Sequence, residues 1–325
     1  GWFLLARMYL NAQTWINENK YQEAYAYAVK VIADGHYPLA SDYREIFLAD
    51  NNTCKEIIWP LVQDGLRAQS SAGTNFYVKA FVNGPMDELY KTGVGSRGWG
   101  NVRAKVSLVD AFDADDVMFD GNDTWGNNKK DKRAQFMTAL PNQVKDTWDV
   151  NMDMTSTFTC GYGYIKWRNV TKKDELSASG DAYTSIDFPL FRTADAYLMA
   201  AEAILRGANG TETEALGYVN EVRSRAYMSG KYAKSGVRSD ISGEIGLNEL
   251  SLNFILSERQ KELASELTRR TDLIRFGKYT KGNNWDWKNG IRLGGDVDDK
   301  YQLFPIPESE LTNNPALNQN DGYKQ

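Results

Sequence analysis

What most constrains the fold of this 325-residue chain is a helical stripe that alternates large and small apolar residues and returns further along. Leu5, Met8, Tyr9 and Ala12 share one helix face, and Tyr21, Ala24, Tyr25, Ala28 and Ile32 share another after the polar break at residues 17–20. The i, i+3, i+4, i+7 spacing is that of an amphipathic helix. Small residues between large ones let two antiparallel helices approach closely, and Pro38 closes the pair near the ~34-residue period of a tetratricopeptide unit. The pattern comes back with Tyr197, Ala200, Ala201, Ile204 and Leu205, a turn at residues 207–210, and then Ala215, Tyr218, Val219, Val222 and Ala226. Thr211 and Glu214 have the spacing of a capping box at the start of that second helix. A further helix around Leu252, Ile255, Leu256, Leu263 and Leu267 carries the charge run Ser257-Glu258-Arg259-Gln260-Lys261-Glu262. Such a run reads as a solvated face with i,i+4 pairs.

The pairs do not form a continuous array. Between residues 50 and 190 helical periodicity fades and Gly, Asn, Asp and Trp become frequent. Strand-like runs remain at residues 56–62 and 162–170, and residues 120–128 read as a long loop. A loop-rich stretch of this length inside a helical chain is expected to be functional or disordered. From Leu303 to Gln325 the chain is proline-punctuated, which predicts an extended tail wrapping the surface. The expected fold is all-α: tetratricopeptide-like helix pairs (1–40 and 188–277) supporting a loop-rich ligand-binding region (50–187), with a C-terminal tail (278–325). The chain opens at Gly1-Trp2-Phe3 already inside a helical pattern, with no N-cap and no signal-peptide pattern. It therefore reads as a fragment or a proteolysed chain whose upstream part is missing; the resemblance given below implies that it is the C-terminal part of a single larger domain.

Composition removes several function classes. His36 is the single histidine, so Ser-His-Asp or Cys-His catalysis and multi-histidine metal sites would all have to be built on one residue. With 43 acidic against 38 basic residues the net charge is -5, which argues against binding driven by phosphate neutralisation. No run approaches the ~20 apolar residues of a membrane helix. Cys54 and Cys160 lack zinc or CxxC spacing and read as two unpaired thiols or as one long-range disulfide. Gly93-Val94-Gly95-Ser96-Arg97-Gly98 spells GxGxxG, but a polar stretch precedes it where a dinucleotide site needs an apolar strand. The loop at Asp120 lacks the Gly and Glu of an EF-hand. A looser calcium site from Asp and Asn oxygens stays open, with Asp50 and Asp187 as candidates. Acidic residues numerous enough to form some glycosidase-like pair are present, but none sits in a recognisable catalytic context.

Aromatic residues carry the remaining signal: 9 Trp, 18 Tyr and 13 Phe. Tyr9, Tyr21, Tyr25, Tyr197 and Tyr218 fall on helix stripes and are expected in the core. Trp99 stands between Gly98 and Gly100, where neighbouring side chains cannot cover it. An exposed indole suits the C–H face of a sugar ring, and Arg97 and Asn101 could serve its hydroxyls. Trp285-Asp286-Trp287 forms a second cluster, of which strand-like alternation would expose at most one indole.

A set of segments in order along the chain resembles the SusD/RagB family of outer-membrane, surface-exposed glycan-binding lipoproteins. They are residues 4–12, Asp42-Tyr43-Arg44-Glu45-Ile46-Phe47, Asp50-Asn51 before Glu56-Ile57-Ile58, Asp187-Phe188-Pro189-Leu190-Phe191-Arg192 with residues 194–198, residues 220–226, Glu258-Arg259-Gln260-Lys261-Glu262-Leu263, residues 269–277, Phe304-Pro305-Ile306-Pro307 and residues 318–323. The resemblance implies a tetratricopeptide-supported glycan-binding face, no catalysis and no cofactor. It also implies delivery of oligosaccharide to a SusC-like TonB-dependent transporter, and a lipid anchor upstream of this chain. By local match Trp99 corresponds to a sugar-stacking aromatic of the starch-binding founder, and Ser71 stands where a tyrosine is expected. Asn75 completes the expected glycan-contacting set, and a starch-like α-glucan is the implied ligand. A peptide-binding tetratricopeptide adaptor without glycan affinity is the alternative reading.

Overall fold

The computed structural model describes residues 1–82, 87, 91–117, 122–137 and 161–324. Cys160, Asp120, Gly121 and most of the segment before Gly93 lie outside them. The described residues are mainly helical and form two compact units, Gly1–Thr268 and Arg269–Gln325. In the first unit the helices are α1 (Trp2–Ile16), α2 (Tyr21–Ala33), α3 (Thr74–Ala80), α4 (Val106–Val109), α5 (Ala114–Val117), α6 (Thr193–Leu205), α7 (Glu212–Ala226) and α8 (Leu252–Glu262). No described helix is long and apolar enough to cross a membrane.

Helix α2 packs on both α1 and α6, and α6 packs on α7 and α8. The reason is written in α6, whose alanines point both ways. Ala196, Ala200 and Ala203 meet Ala24 and Ala28 of α2 and Ala6 of α1, while Ala194 and Ala201 meet Ala215, Val219 and Val222 of α7. A helix with apolar residues on both sides belongs in the middle of a layer. The capping box at the start of α7 is formed: the Glu214 N–H donates to Thr211 Oγ1 (3.1 Å) and the Thr211 N–H to Glu214 Oε2 (2.7 Å). The face expected for α1 is corrected. Phe3, Ala6 and Leu10 are buried, whereas Met8 is 50% exposed and Leu5 and Tyr9 are half-buried. Nearly every position from Trp2 to Leu10 is apolar, so periodicity alone could not choose the inward side.

The stretch between the helix pairs has its own core. Strand β1 (Ile57–Leu61) pairs antiparallel with the most C-terminal strand, β4 (Phe188–Arg192), with Ile57 opposite Arg192 and Leu61 opposite Phe188; β2 (Phe136–Met137) pairs with β3 (Gly163–Tyr164). Behind them Trp167 is 1% exposed, stacked on Tyr77 (5.4 Å) and Phe188 (5.5 Å) and edge-on to Phe47 (4.9 Å). Each aromatic so buried contributes about 1.5–3 kcal/mol relative to leaving it exposed.

The charge run on α8 is the largest departure from expectation. Glu258 and Glu262 are buried completely or nearly so and face guanidinium groups rather than water. Arg133 reaches Glu258 (2.6 Å) and Glu262 (3.2 Å) and chelates Asp131; Arg223 reaches Glu258 (2.7 Å). Arg192, at the end of β4, joins Glu262 (2.6 Å), Glu56 (2.9 Å) and Glu266 (2.6 Å). Arg225 of α7 bridges Glu56 (2.7 Å) and Glu262, and Lys166 pairs with Glu266. These five cations and five anions balance, which is the condition for keeping charge in a low-dielectric interior. Burial alone would push the Glu262 carboxyl up, but Arg225, Arg192 and Arg133 hold it well below the usual carboxylate range. A separate buried carboxylate, Asp195, is shared by Arg259 and Arg7 (2.7 Å each).

The second unit contains α9 (Arg269–Arg275) and α10 (Glu308–Asn313). Residues 303–324 are not simply extended. Besides forming α10, they fold back on themselves: the Gln319 side chain both accepts from the Ile306 N–H (2.8 Å) and donates to its carbonyl (2.9 Å), and Tyr323 Oη donates to Leu303 O (2.9 Å).

Candidate functional site

Trp99 is placed by the end of α3. Helix α3 leaves C-terminal carbonyls without intrahelical donors, and the segment after the glycine-rich loop supplies them. The Trp99 N–H donates to Lys79 O, the Asn101 N–H to Ala80 O and the Gly100 N–H to Val82 O, each at 2.8 Å. This docking sets the half-buried Trp99 beside Phe76, on the outer face of α3, with ring centroids 6.1 Å apart and planes at 59°. Phe76 is 42% exposed, while its neighbour Tyr77 turns inward onto Trp167. The sequence offered a signal for Phe76 that was not used: an aromatic dipeptide on a short helix must send its two rings to different sides.

The GxGxxG loop is a turn that carries this ledge. Gly93 and Gly95 have φ of 79° and 54°, and a Cβ on them would meet Asn169 O at 2.6 Å and Asp181 Oδ2 at 2.8 Å. Residues 95–97 make one 3-10 turn rather than opening an α-helix, and the Val94 and Gly95 N–H groups donate to the Asp87 carboxylate. A loop whose amides hold a carboxylate of its own chain is not cradling a phosphate.

The polar groups around the ledge divide in two. Arg97 and Asn101 are exposed, and Arg97 Nε donates to Asp181 Oδ1 (3.1 Å), a pair open to solvent that presents both donors and acceptors. Ser71 is exposed just before α3. Asn75, by contrast, is 1% exposed, and its amide donates to Ser70 O (3.0 Å), so it braces the loop instead of facing the surface. Lys79 is buried as well, donating to Ala182 O and lying over the Tyr183 ring at 5.7 Å; burial, then the charge of Arg97, lowers its pKa.

The two calcium candidates are engaged otherwise. The Asp187 carboxylate accepts from the Gln63 N–H (2.9 Å), burial raising its pKa, and the Asp50 carboxylate accepts from the Lys172 N–H (3.2 Å). Among the described residues no group of three His, Cys, Asp or Glu side chains converges as metal ligands. Cys54 is a half-buried free thiol whose pKa burial pushes up to about 11.

Trp285 and Trp287 are both half-buried, which agrees with at most one exposed indole, but they do not point apart. Both line one cavity within the second unit, because Trp287 takes a left-handed backbone (φ 63°, ψ 12°) that cancels strand-like alternation.

The sequence profile of the SusD family matches residues 55–323. The starch-binding protein SusD of Bacteroides thetaiotaomicron is 31% identical over a 354-residue alignment that covers 100% of this chain and 60% of that protein. A SusD-like protein of Formosa agariphila is 26% identical, with 97% of this chain and 58% of the relative covered. Among solved structures, the surface glycan-binding protein A of Bacteroides thetaiotaomicron in complex with laminarihexaose matches with TM-score 0.62 at 21% identity, over 97% of this chain and 62% of that one. The corresponding protein of Bacteroides uniformis gives TM-score 0.62 at 22% identity, over 98% and 60%. At these identities the structural likeness concerns the fold. The chain thus spans about three fifths of the length of the relatives it matches.

Proposed function

This chain belongs to the SusD family, and on that premise we propose that it is a non-catalytic binder of oligosaccharide whose stacking surface is the Trp99–Phe76 ledge. The observation that carries the reading is the ledge itself: two partly exposed rings, held by backbone hydrogen bonds and bordered by Arg97, Asp181, Asn101 and Ser71. A pyranose presents apolar C–H faces and a rim of hydroxyls, which is the complement of such a surface. The 59° between the rings suits a glycan that turns between successive sugars better than a flat ribbon. A starch-like α-glucan is therefore the proposed ligand, in keeping with the name of the 31%-identical relative. Display at the outer-membrane surface through a lipid anchor, and delivery to a SusC-like TonB-dependent transporter, complete the proposal.

Affinity gel electrophoresis with starch, xylan, mannan and host glycans tests it. Retardation by starch is expected, and Trp99→Ala should remove most of it, about 2 kcal/mol or roughly thirtyfold, as for a dominant aromatic anchor. An adaptor that binds only peptides would be retarded by none of the gels. Unchanged affinity of Trp99→Ala for every retained glycan would sink the site assignment, and release of reducing ends on prolonged incubation would sink the non-catalytic reading.

A further inference from the structure

The second unit carries an open cavity of about 590 Å³, lined by none of the residues of the Trp99 ledge. Its walls are largely aromatic: Tyr279, Trp285, Trp287, Tyr301, Phe304 and Tyr323. Tyr279 and Trp285 lie 5.6 Å apart with planes at 38°, so one wall is a broad tilted face. Tyr301 and Phe304 are exposed, Phe304 at 72%, although a chain folded for stability alone gains by covering such rings.

The backbone here is held in an uncommon shape. Trp287 and Asn289 are both left-handed without being glycine (φ 63° and 58°), at roughly 1 kcal/mol or more each. Several contacts over-determine that conformation. Lys288 Nζ donates to Lys281 O (3.1 Å) and Gly282 O (3.0 Å), Asn289 Nδ2 to Asp296 O (2.8 Å), and the Trp287 N–H to Arg292 O (3.2 Å). Strain maintained in this way clusters at ligand clamps, and its result here is that both indoles face one space.

Charge narrows the occupant. Lys288 is the charged residue in the lining, and its ammonium is engaged on the two carbonyls. The nearby Arg270 guanidinium lies over Tyr279 (4.9 Å) and Phe304 (4.3 Å) and donates to Tyr301 O and Gln302 O. Aromatic faces with amide and hydroxyl edges, and a lining ammonium that already spends two of its three N–H donors on carbonyls, fit an uncharged ligand with both C–H faces and hydroxyls. The volume lies within the ~300–1,000 Å³ of small-ligand sites, room for about two or three sugar rings.

The geometry points to a second saccharide-stacking subsite, in residues 279–323, for a short neutral oligosaccharide. It rests on the glycan-binding reading above but on none of the residues of the Trp99 ledge. NMR titration of the full chain with maltoheptaose, xylohexaose and mannohexaose tests it through the indole N–H signals, assigned with Trp99→Ala and Trp285→Ala. At least one sugar should shift the Trp285 and Trp287 signals with its own saturation curve, in wild type and in Trp99→Ala alike. Phe304→Ala, at an exposed position where folding is not at risk, should weaken that curve tenfold or more and leave the Trp99 response intact. Shifts at Trp99 alone, or second-unit shifts that vanish with Trp99→Ala, would overturn the second subsite and keep the first. Second-unit shifts without any response at Trp99 would support this subsite and overturn the ledge. Silence of all indoles with every sugar would overturn both, as would saturation of the cavity by an alkyl detergent with no sugar competing.

Discussion

The charged interior beneath α8 and the aromatic ledge at Trp99 invert the usual placement of residues. In the first, Glu258, Glu262, Arg133, Arg192 and Arg225 are withdrawn from water; in the second, Phe76 and Trp99 are left partly in it. Both arrangements cost free energy in isolation. The interior recovers its cost through mutual pairing, since Glu258, Glu262, Glu56 and Glu266 each meet more than one cation. The ledge has no such internal compensation, which is what one expects of a surface completed by a ligand. The interior also joins the layers: Glu56 precedes β1, Arg192 ends β4, Arg225 lies on α7 and Glu262 on α8. It therefore fixes how the helix pairs meet the segment that carries the ledge.

If the contrast holds, mutations in the two regions should separate stability from affinity. The largest effect is expected from Glu262→Gln, which leaves Arg192 and Arg225 short of a buried partner. Breaking such a pair costs about 3–5 kcal/mol, to be read by chemical denaturation, with glycan affinity per folded molecule unchanged. A loss under 1 kcal/mol would mean the interior is wetter than its geometry indicates. Acid should act on the same region. The Glu262 pKa is lowered in the fold from its ordinary 4.5, so its contribution is complete above about pH 4.5 and is lost as pH falls below it. Thermal melts between pH 7 and pH 3 should show this decline, and Glu262→Gln should flatten it; parallel curves would remove Glu262 from the account. The smallest effect is expected at the ledge. Phe76→Ala should weaken glycan binding about fivefold, near 1 kcal/mol, while moving stability by no more than ~0.5 kcal/mol. Equal losses in both measurements would show that Phe76 is core rather than ledge.

How far the sequence could be read depended on whether the deciding contacts were local. The stripes of α2 and α7 and the Thr211–Glu214 capping box depend on residues within one or two turns, and they formed where the spacing put them. The strand β1 was legible from its apolar run, but its pairing with β4 was not, because that pairing spans more than a hundred residues. Trp99 was expected to stand exposed between its glycines, but it is half-buried, because its backbone bonds to the end of α3 set it beside Phe76. The shared side of the two indoles in Trp285-Asp286-Trp287 was not legible either, since a left-handed tryptophan overrides the alternation that spacing assumes. Ser257–Glu262 shows the limit most clearly: its i,i+4 charges look the same whether they meet water or arginine.

By itself the sequence determined the helix pairs, the interruption between them and the family resemblance. Only the tertiary structure decided which charges are interior and which aromatics stand together. The physical reason is separation along the chain. Glu262 is paired with Arg192 across 70 residues and Arg225 with Glu56 across 169. Whether a carboxylate is buried depends on such distant partners arriving, and no local pattern records them.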